Sequence, residues 1–359
     1  MRLAIFACTV LFFLMSCDLE IDYEPVVQNS SSPVVFVVDQ TPYTALSSYQ
    51  FFDGNLKDQI PVQGVLPYKP INTLFSDYSK KKRFIWLPPN SKMVYKSASE
   101  VFDFPLGSVI IKTFYYDNVL PELNQRLVET RLLILSSSGW QFANYVWNED
   151  QTDAILDLNG SFTNILWEED GVVNEVNYRI PSESECLTCH KKAESSIPIG
   201  PKPMNLNSYL VYNYGNQNQL EYLVINNYLE DNLPENIPVV ASYKDENLPL
   251  EDRVRGYLDI NCAHCHSEES HCAYRDIRLD YFSTSEQDNL GVCVVQDTEI
   301  NETLSHIVAP SNPLRSVLHY RMSVTDEEYR MPLLGRSVVH NEGLMLIEQW
   351  INSLDTICN

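Results

Sequence analysis

Runs of apolar residues at strand-like spacing fill the first half of the chain. KMVYK (92–96), GSVIIKTFYY (107–116), RLVETRLLIL (126–135), GWQFANYVW (139–147), SFTNILW (161–167) and VVNEVNYRI (172–180) are rich in β-branched and aromatic residues. Gly, Asn, Ser or Pro bound them, which is the signature of strands. SSSG (136–139) predicts a hairpin turn between the third and fourth runs. Together they predict a β-rich, sandwich-like module over 35–181. The KKKR cluster, Lys80–Arg83, reads as a solvated turn, with a docking patch as the alternative.

The pattern changes after Ile180. IPSESECLTCHKKAESSIPIGPKPMNLN is Pro-, Ser- and Lys-rich without a clear period, so it predicts loop held by something other than a core. Helical spacing returns in QNQLEYLVINNYLE (217–230). It recurs in PLEDRVRGYLDINCAHCH (249–266), where Val254, Tyr257 and Leu258 share a face leading into Cys262 and Cys265. HNEGLMLIEQWINSL (340–354) sets Leu344, Ile347, Trp350, Ile351 and Leu354 on one stripe, a closing amphipathic helix.

The N-terminus, MRLAIFACTVLFFLMSC, is one Arg and an apolar run of signal-peptide length, short for a membrane span. Leu14-Met15-Ser16-Cys17 resembles a bacterial lipobox; a plain signal peptide is the alternative. The expectation is a signal peptide over 1–16, a lipid anchor on Cys17, and an acidic, Ser-rich tether over 17–34. The body then lies outside the cytoplasm, on the periplasmic face or the cell surface. Forty-eight acids against 25 bases give a net charge of −23, which argues against nucleic acid and for a partner with a basic or apolar face. From Pro249 onward there are eight Arg, no Lys and 18 acids.

Histidine and cysteine are absent from 35–181 and then concentrate. CXXCH occurs twice, as Cys186-Leu-Thr-Cys189-His190 and Cys262-Ala-His-Cys265-His266, where composition alone predicts roughly 0.004 copies. Two thiols three apart reach the two vinyl groups of one haem, and the following imidazole becomes the axial iron ligand. The expected cofactors are therefore two covalent c-type haems on Cys186, Cys189 and His190 and on Cys262, Cys265 and His266. A zinc ribbon spaces its cysteine pairs by about 15 to 20 residues, far closer than these. A thioredoxin-like pair needs a βαβ setting, and a plain disulfide framework leaves both histidines without a role.

For the sixth ligands, Met331 in YRMPLLGR is the choice for the second haem, with Met322 next. For the first haem Met204 is the nearest soft ligand. The alternatives are His264, His271, His306, His319 or His340, Lys191 or Lys192, or an open position. Of the other cysteines, Cys272 with Cys293 is the expected disulfide, and pairing through Cys358 is the alternative.

Residues 248–359 resemble a class I cytochrome c domain: a helix running into CXXCH, a Met-Pro loop, a closing helix. In that fold the terminal helices cross at a small residue, here expected to be Gly256, with Tyr257 against Trp350. More widely, LFSDYSKKKRFIWLP, FPLGSVIIKTF, RLVETRLLIL, YVWNEDQTDA, CLTCH, IGPK, YLDINCAHCH and YRMPLLGR resemble a bacterial family of secreted diheme c-type cytochromes. That resemblance implies two covalent haems and a β-rich N-terminal part, and it implies no substrate.

The expected architecture is multidomain α+β: a β-rich, sandwich-like domain (35–181), a first haem-binding segment with a helical connector (182–247), and an all-α cytochrome c-like domain (248–359). The expected function is single-electron transfer by a lipid-anchored diheme cytochrome. Two other classes stay open. One is a diheme peroxidase or other haem oxidoreductase, which needs a base and an arginine beside one haem, with Arg321, Arg330 and Arg336 as candidates. The other is a β-rich surface binding module with redox-sensing haems.

Overall fold

The computed structural model describes residues 32–212 and 215–358; the signal peptide, Cys17 and most of the tether lie outside them. No helix among the described residues is long and apolar enough to cross a membrane.

One eight-stranded antiparallel sheet organises the N-terminal half. Its strands are β1 (Val65–Pro67), β2 (Lys80–Trp86), β3 (Val109–Val119), β4 (Asn124–Ser136), β5 (Gly139–Trp147), β6 (Ala154–Leu156), β7 (Ser161–Glu169) and β8 (Val172–Ile180). β1 to β6 form a meander in chain order, and the β7–β8 hairpin joins the end of β3 through Val119 and Trp167. Asp170 and Gly171 turn that hairpin with φ of 53° and 77°, the left-handed pair that a two-residue turn between twisted strands requires.

The long central strands are buried on both faces, which is why they read as nearly continuous apolar runs. On one face Val109, Ile111, Leu132 and Ile134 pack under Leu46, Tyr49, Phe51 and Phe52 from the preceding segment. This is a sheet covered by irregular chain, so the sandwich-like expectation is corrected. The opposite face carries Ile110, Leu133 and Phe142 and packs against residues of the first CXXCH helix and α3 (Gln219–Ile225). KKKR is corrected as well. It lies in β2, where Arg83 pairs with Lys112 and Phe84 with Ile111. KMVYK is no strand: Met93 and Val94 make only isolated bridges, to Leu229 and Asp103.

The all-α C-terminal domain is not what the chain forms. α4 (Leu250–Asn261), α5 (Val317–Ser323) and α6 (Asn341–Ser353) share a core around Leu258, Ile347 and Trp350. Residues 262–316 between the first two contain no α-helix. They hold short 3₁₀ turns and the bridges Val292–Val308, Val295–His306 and His306–Ser316. Turn formers such as Asp280, Asn289, Gly291, Asn301, Pro310 and Pro313 recur too often there for a helical period to run.

Nor does this part stand apart from the sheet. The Asn72 side chain donates to the Ala241 carbonyl at 2.7 Å and accepts from the Tyr243 N–H at 3.0 Å. Phe75 N–H donates to Asn261 Oδ1, and Ser337 and Val338 N–H donate to the buried Asp77 carboxylate. Lys202 Nζ meets the buried Asp259 at 2.8 Å.

Tyr257 and Trp350 do share the C-terminal core, but the small residue at the helix contact is Gly343. A Cβ there would stand 2.3 Å from the Tyr257 hydroxyl, whereas one on Gly256 would meet the Ala241 carbonyl at 2.2 Å. Gly256 admits the chain that Asn72 fastens; Gly343 lets α6 lie against α4. Gly343→Ala is expected to destabilise by about 1–3 kcal/mol through overpacking, read as a lower urea midpoint with an unchanged slope.

Candidate functional site

α1 (Glu183–His190) presents the first motif. Ser182 caps it by accepting from the Glu185 N–H, and the Glu185 side chain returns a bond to Ser182 N–H, a reciprocal capping box. Three residues apart on this helix, Cys186 and Cys189 lie on one side. His190 Nδ1 bonds the Ile197 carbonyl at 2.8 Å. This is the second bond by which a metal-ligating imidazole is usually oriented, and it leaves Nε2 for a ligand.

The second motif follows α4 without a break. Cys262 N–H bonds Leu258 O, and Cys265 and His266 N–H bond Cys262 O, so one helical turn continues through the motif. His266 Nδ1 is buried with no partner.

Each motif lines its own cavity. Cys186, Cys189 and His190 border one of about 940 Å³, mouth included, between the sheet, Leu74–Ser76 and the C-terminal segment. Cys262, Cys265 and His266 border a second of about 1230 Å³. The cavities share Cys189, His264, Met322, Met331 and Leu334 as common wall. Across it the ligand atoms of Cys189, His264 and Cys265 lie within 4.8 Å of one another.

These residues fit two c-type haems. The motifs face adjoining apolar cavities and His190 is already oriented from behind, whereas the Nδ1 of His266 has no such bond. Met331 and Met322 border both cavities; Met322 is also part of the C-terminal core. Met204 is corrected: fully buried with Ala98 and Val240, it borders neither cavity. α2 (Pro203–Leu206), a single turn, holds it in that small cluster, with its N–H on Ala98 O.

Of the alternative ligands, His264 and His340 border the first cavity. Spacing gave no hint of His340, which folding brings there from α6's N-cap. It stacks on Phe75 at 4.1 Å and contacts the Tyr257 hydroxyl at 3.1 Å. His271, His306, His319, Lys191 and Lys192 border neither cavity.

The expected Cys272–Cys293 disulfide is also corrected. Cys293 pairs with Cys358, with Cα atoms 5.2 Å apart. Cys272 N–H bonds Cys265 O, which folds that thiol back against the second cavity, away from Cys293. The arginines proposed for a distal role are largely committed to backbone. Arg336 donates to the carbonyls of Met331, Arg321, Val324 and Val338, clamping the Met331 loop; Arg330 holds Leu333 O, Thr325 O and Glu327. Arg321, bonded to Tyr329 O, borders the second cavity together with Arg275, and Arg336 borders the first.

Burial sets the protonation of the site. It pushes the Cys186 thiol up to about 11 and Cys262 up to about 12. A hydrogen bond from the Cys265 thiol, helped by His264, holds Cys189 well below its ordinary value. Burial also lowers His190, His266 and His340 to about 4.

Comparison with family models, curated proteins and solved structures finds no match to this chain.

Because the three histidines are buried neutral, the unfolded chain binds more protons than the folded one between about pH 6.5 and pH 4. In the chain without bound metal or porphyrin, their contribution to stability is full above 6.5 and lost as pH falls through that window. Urea unfolding at pH 7.5, 6 and 4.5 is expected to show this fall, with a shallower slope for His340→Gln.

Proposed function

We propose that the chain is a diheme c-type cytochrome that carries single electrons. One observation carries the reading: each CXXCH contributes both cysteines and its histidine to a separate cavity, and the two cavities share a wall. Cys186 and Cys189 would hold one porphyrin and Cys262 and Cys265 the other. Bound there, the irons would supply reversible one-electron redox chemistry. The protein's part is to hold both imidazoles neutral, to orient His190 through the Ile197 carbonyl, to line the sites with apolar walls, and to keep the two sites adjacent. Met331, clamped by Arg336, and His340, stacked on Phe75, would be the side chains available to hold the iron at the first cavity, and Met331 also at the second.

The lipobox-like Leu14–Cys17 and the acidic tether support an anchored protein outside the cytoplasm, where c-type haem is attached. The acid excess supports a redox partner with a basic or apolar face.

A second reading draws on the approach of Cys189, His264 and Cys265, which suits a thiolate-imidazole metal ion such as zinc. It leaves Cys186, Cys262, His190 and His266 facing two cavities without a task.

Chain matured in a strain with c-type haem assembly is expected to gain the mass of two porphyrins. Cys186→Ala/Cys189→Ala is expected to lose one and to keep the other, with about half the haem absorbance. Stoichiometric zinc and no added porphyrin in authentically processed material would reject the diheme reading.

A further inference from the structure

The two CXXCH motifs are joined edge to edge through backbone. Lys192, just past α1, bridges Ser270, and Ala193 N–H donates to Glu269 O at 2.7 Å. Ser270 Oγ closes the turn after the second motif, accepting from Ser267 N–H at 3.0 Å and donating to the Ser267 carbonyl at 2.7 Å. The Cys265 thiol faces the Thr188 carbonyl of α1, 3.6 Å away. One cysteine from each motif is thereby brought to the wall between the cavities, and His264 comes with Cys265.

Cys189, His264 and Cys265 place their ligand atoms within 4.8 Å of one another. Atoms so placed lie within about 2.8 Å of a common point, against about 2.3 Å for a zinc–sulfur bond and about 2.0–2.1 Å for zinc–imidazole. Closing the set takes less than about 1 Å from each side chain. His264 Nδ1 is buried without a partner, a nitrogen that an ion would satisfy. Cys186, the other thiol of the first motif, stays out of the set and donates to its own helix at Ser182 O, 3.4 Å away. Two thiolates and an imidazole select a thiophilic ion over calcium or magnesium, which take oxygen. Three protein ligands leave a tetrahedral ion one open position, which suits an ion that a competing ligand can remove.

We propose that the chain without porphyrin binds one zinc-class ion at Cys189, His264 and Cys265, and that this ion and the porphyrins exclude one another. Unlike a resident zinc standing in place of haem, this ion precedes it. The ion site stands on the geometry of the three ligands; the exclusion rests on the diheme reading. Binding releases the thiol protons to solvent and forms two metal–thiolate bonds. Each motif then lacks one of its two sulfurs, so a single ion withholds both attachment sites. Once Cys189 and Cys265 carry thioethers they offer no thiolate, and the ion site is gone.

The test is titration of the reduced chain, produced without haem assembly, with zinc chloride and with cobalt chloride. One ion per chain is expected, with a thiolate-to-cobalt charge-transfer band in the near ultraviolet. Cys189→Ser, Cys265→Ser and His264→Gln are each expected to weaken binding beyond the roughly 10- to 100-fold that loss of a merely supporting residue costs. Cys186→Ser and Cys262→Ser are expected to bind as wild type does, and chain carrying two porphyrins to bind no ion there. A reduced chain that binds no zinc overturns the proposal. So does binding that needs Cys186 and tolerates Cys265→Ser, which puts the ion inside one motif. Two-porphyrin chain that still shows the cobalt band overturns the exclusion. An ion held in the expected pattern by a chain that never gains porphyrin supports the ion site and overturns the diheme reading.

Discussion

Closing the second face of the sheet is the constraint on which the rest of the structure depends. Ile110, Leu133 and Phe142 on that face need cover, and the cover comes from chain far along the sequence. Apolar contact supplies area without register. Register comes from buried side chains that bond specific backbone groups: Asn72 with Ala241 and Tyr243, Asn205 with Asn72, Asn261 with Phe75, Asp77 with Ser337 and Val338. A buried polar group left without its partner costs about 1–3 kcal/mol, so a slip of this cover by one residue is penalised at several points at once.

The cavities follow from that closure. The sheet ends at Ile180 and α1 begins within three residues, so the first motif is held at the sheet's margin. α4 delivers the second motif to the same place because Asp259 and Asn261, just before it, are fastened to Lys202 and to the Phe75 backbone. Two sites that share Cys189, His264 and Met331 as wall suit the proposed passage of electrons between haems, since little intervening structure is needed.

The KKKR cluster shows how a local rule can mislead. Four consecutive basic residues normally mark a solvated segment. Here β2 sends Lys81 and Arg83 to one face and Lys82 to the other. Alternation had been hidden by uniform charge: apolar-polar periodicity cannot be seen where every residue is polar.

The sequence by itself determined the elements whose signal is local. Its β-branched runs at 107–116, 126–135, 139–147, 161–167 and 172–180, the helices leading into and closing the C-terminal part, and both CXXCH motifs were legible because strand period, helical period and motif spacing are properties of neighbouring residues. Only the tertiary structure decided that Met204 turns into a separate cluster, that Cys293 meets Cys358, that Gly343 and not Gly256 lies at the helix contact, and that His340 reaches the first cavity. Those outcomes depend on which distant surfaces meet. Residues 262–316, too rich in turn formers to make the expected helical domain, take their shape from the bridges, disulfide and motif they hold, none of which a local period encodes.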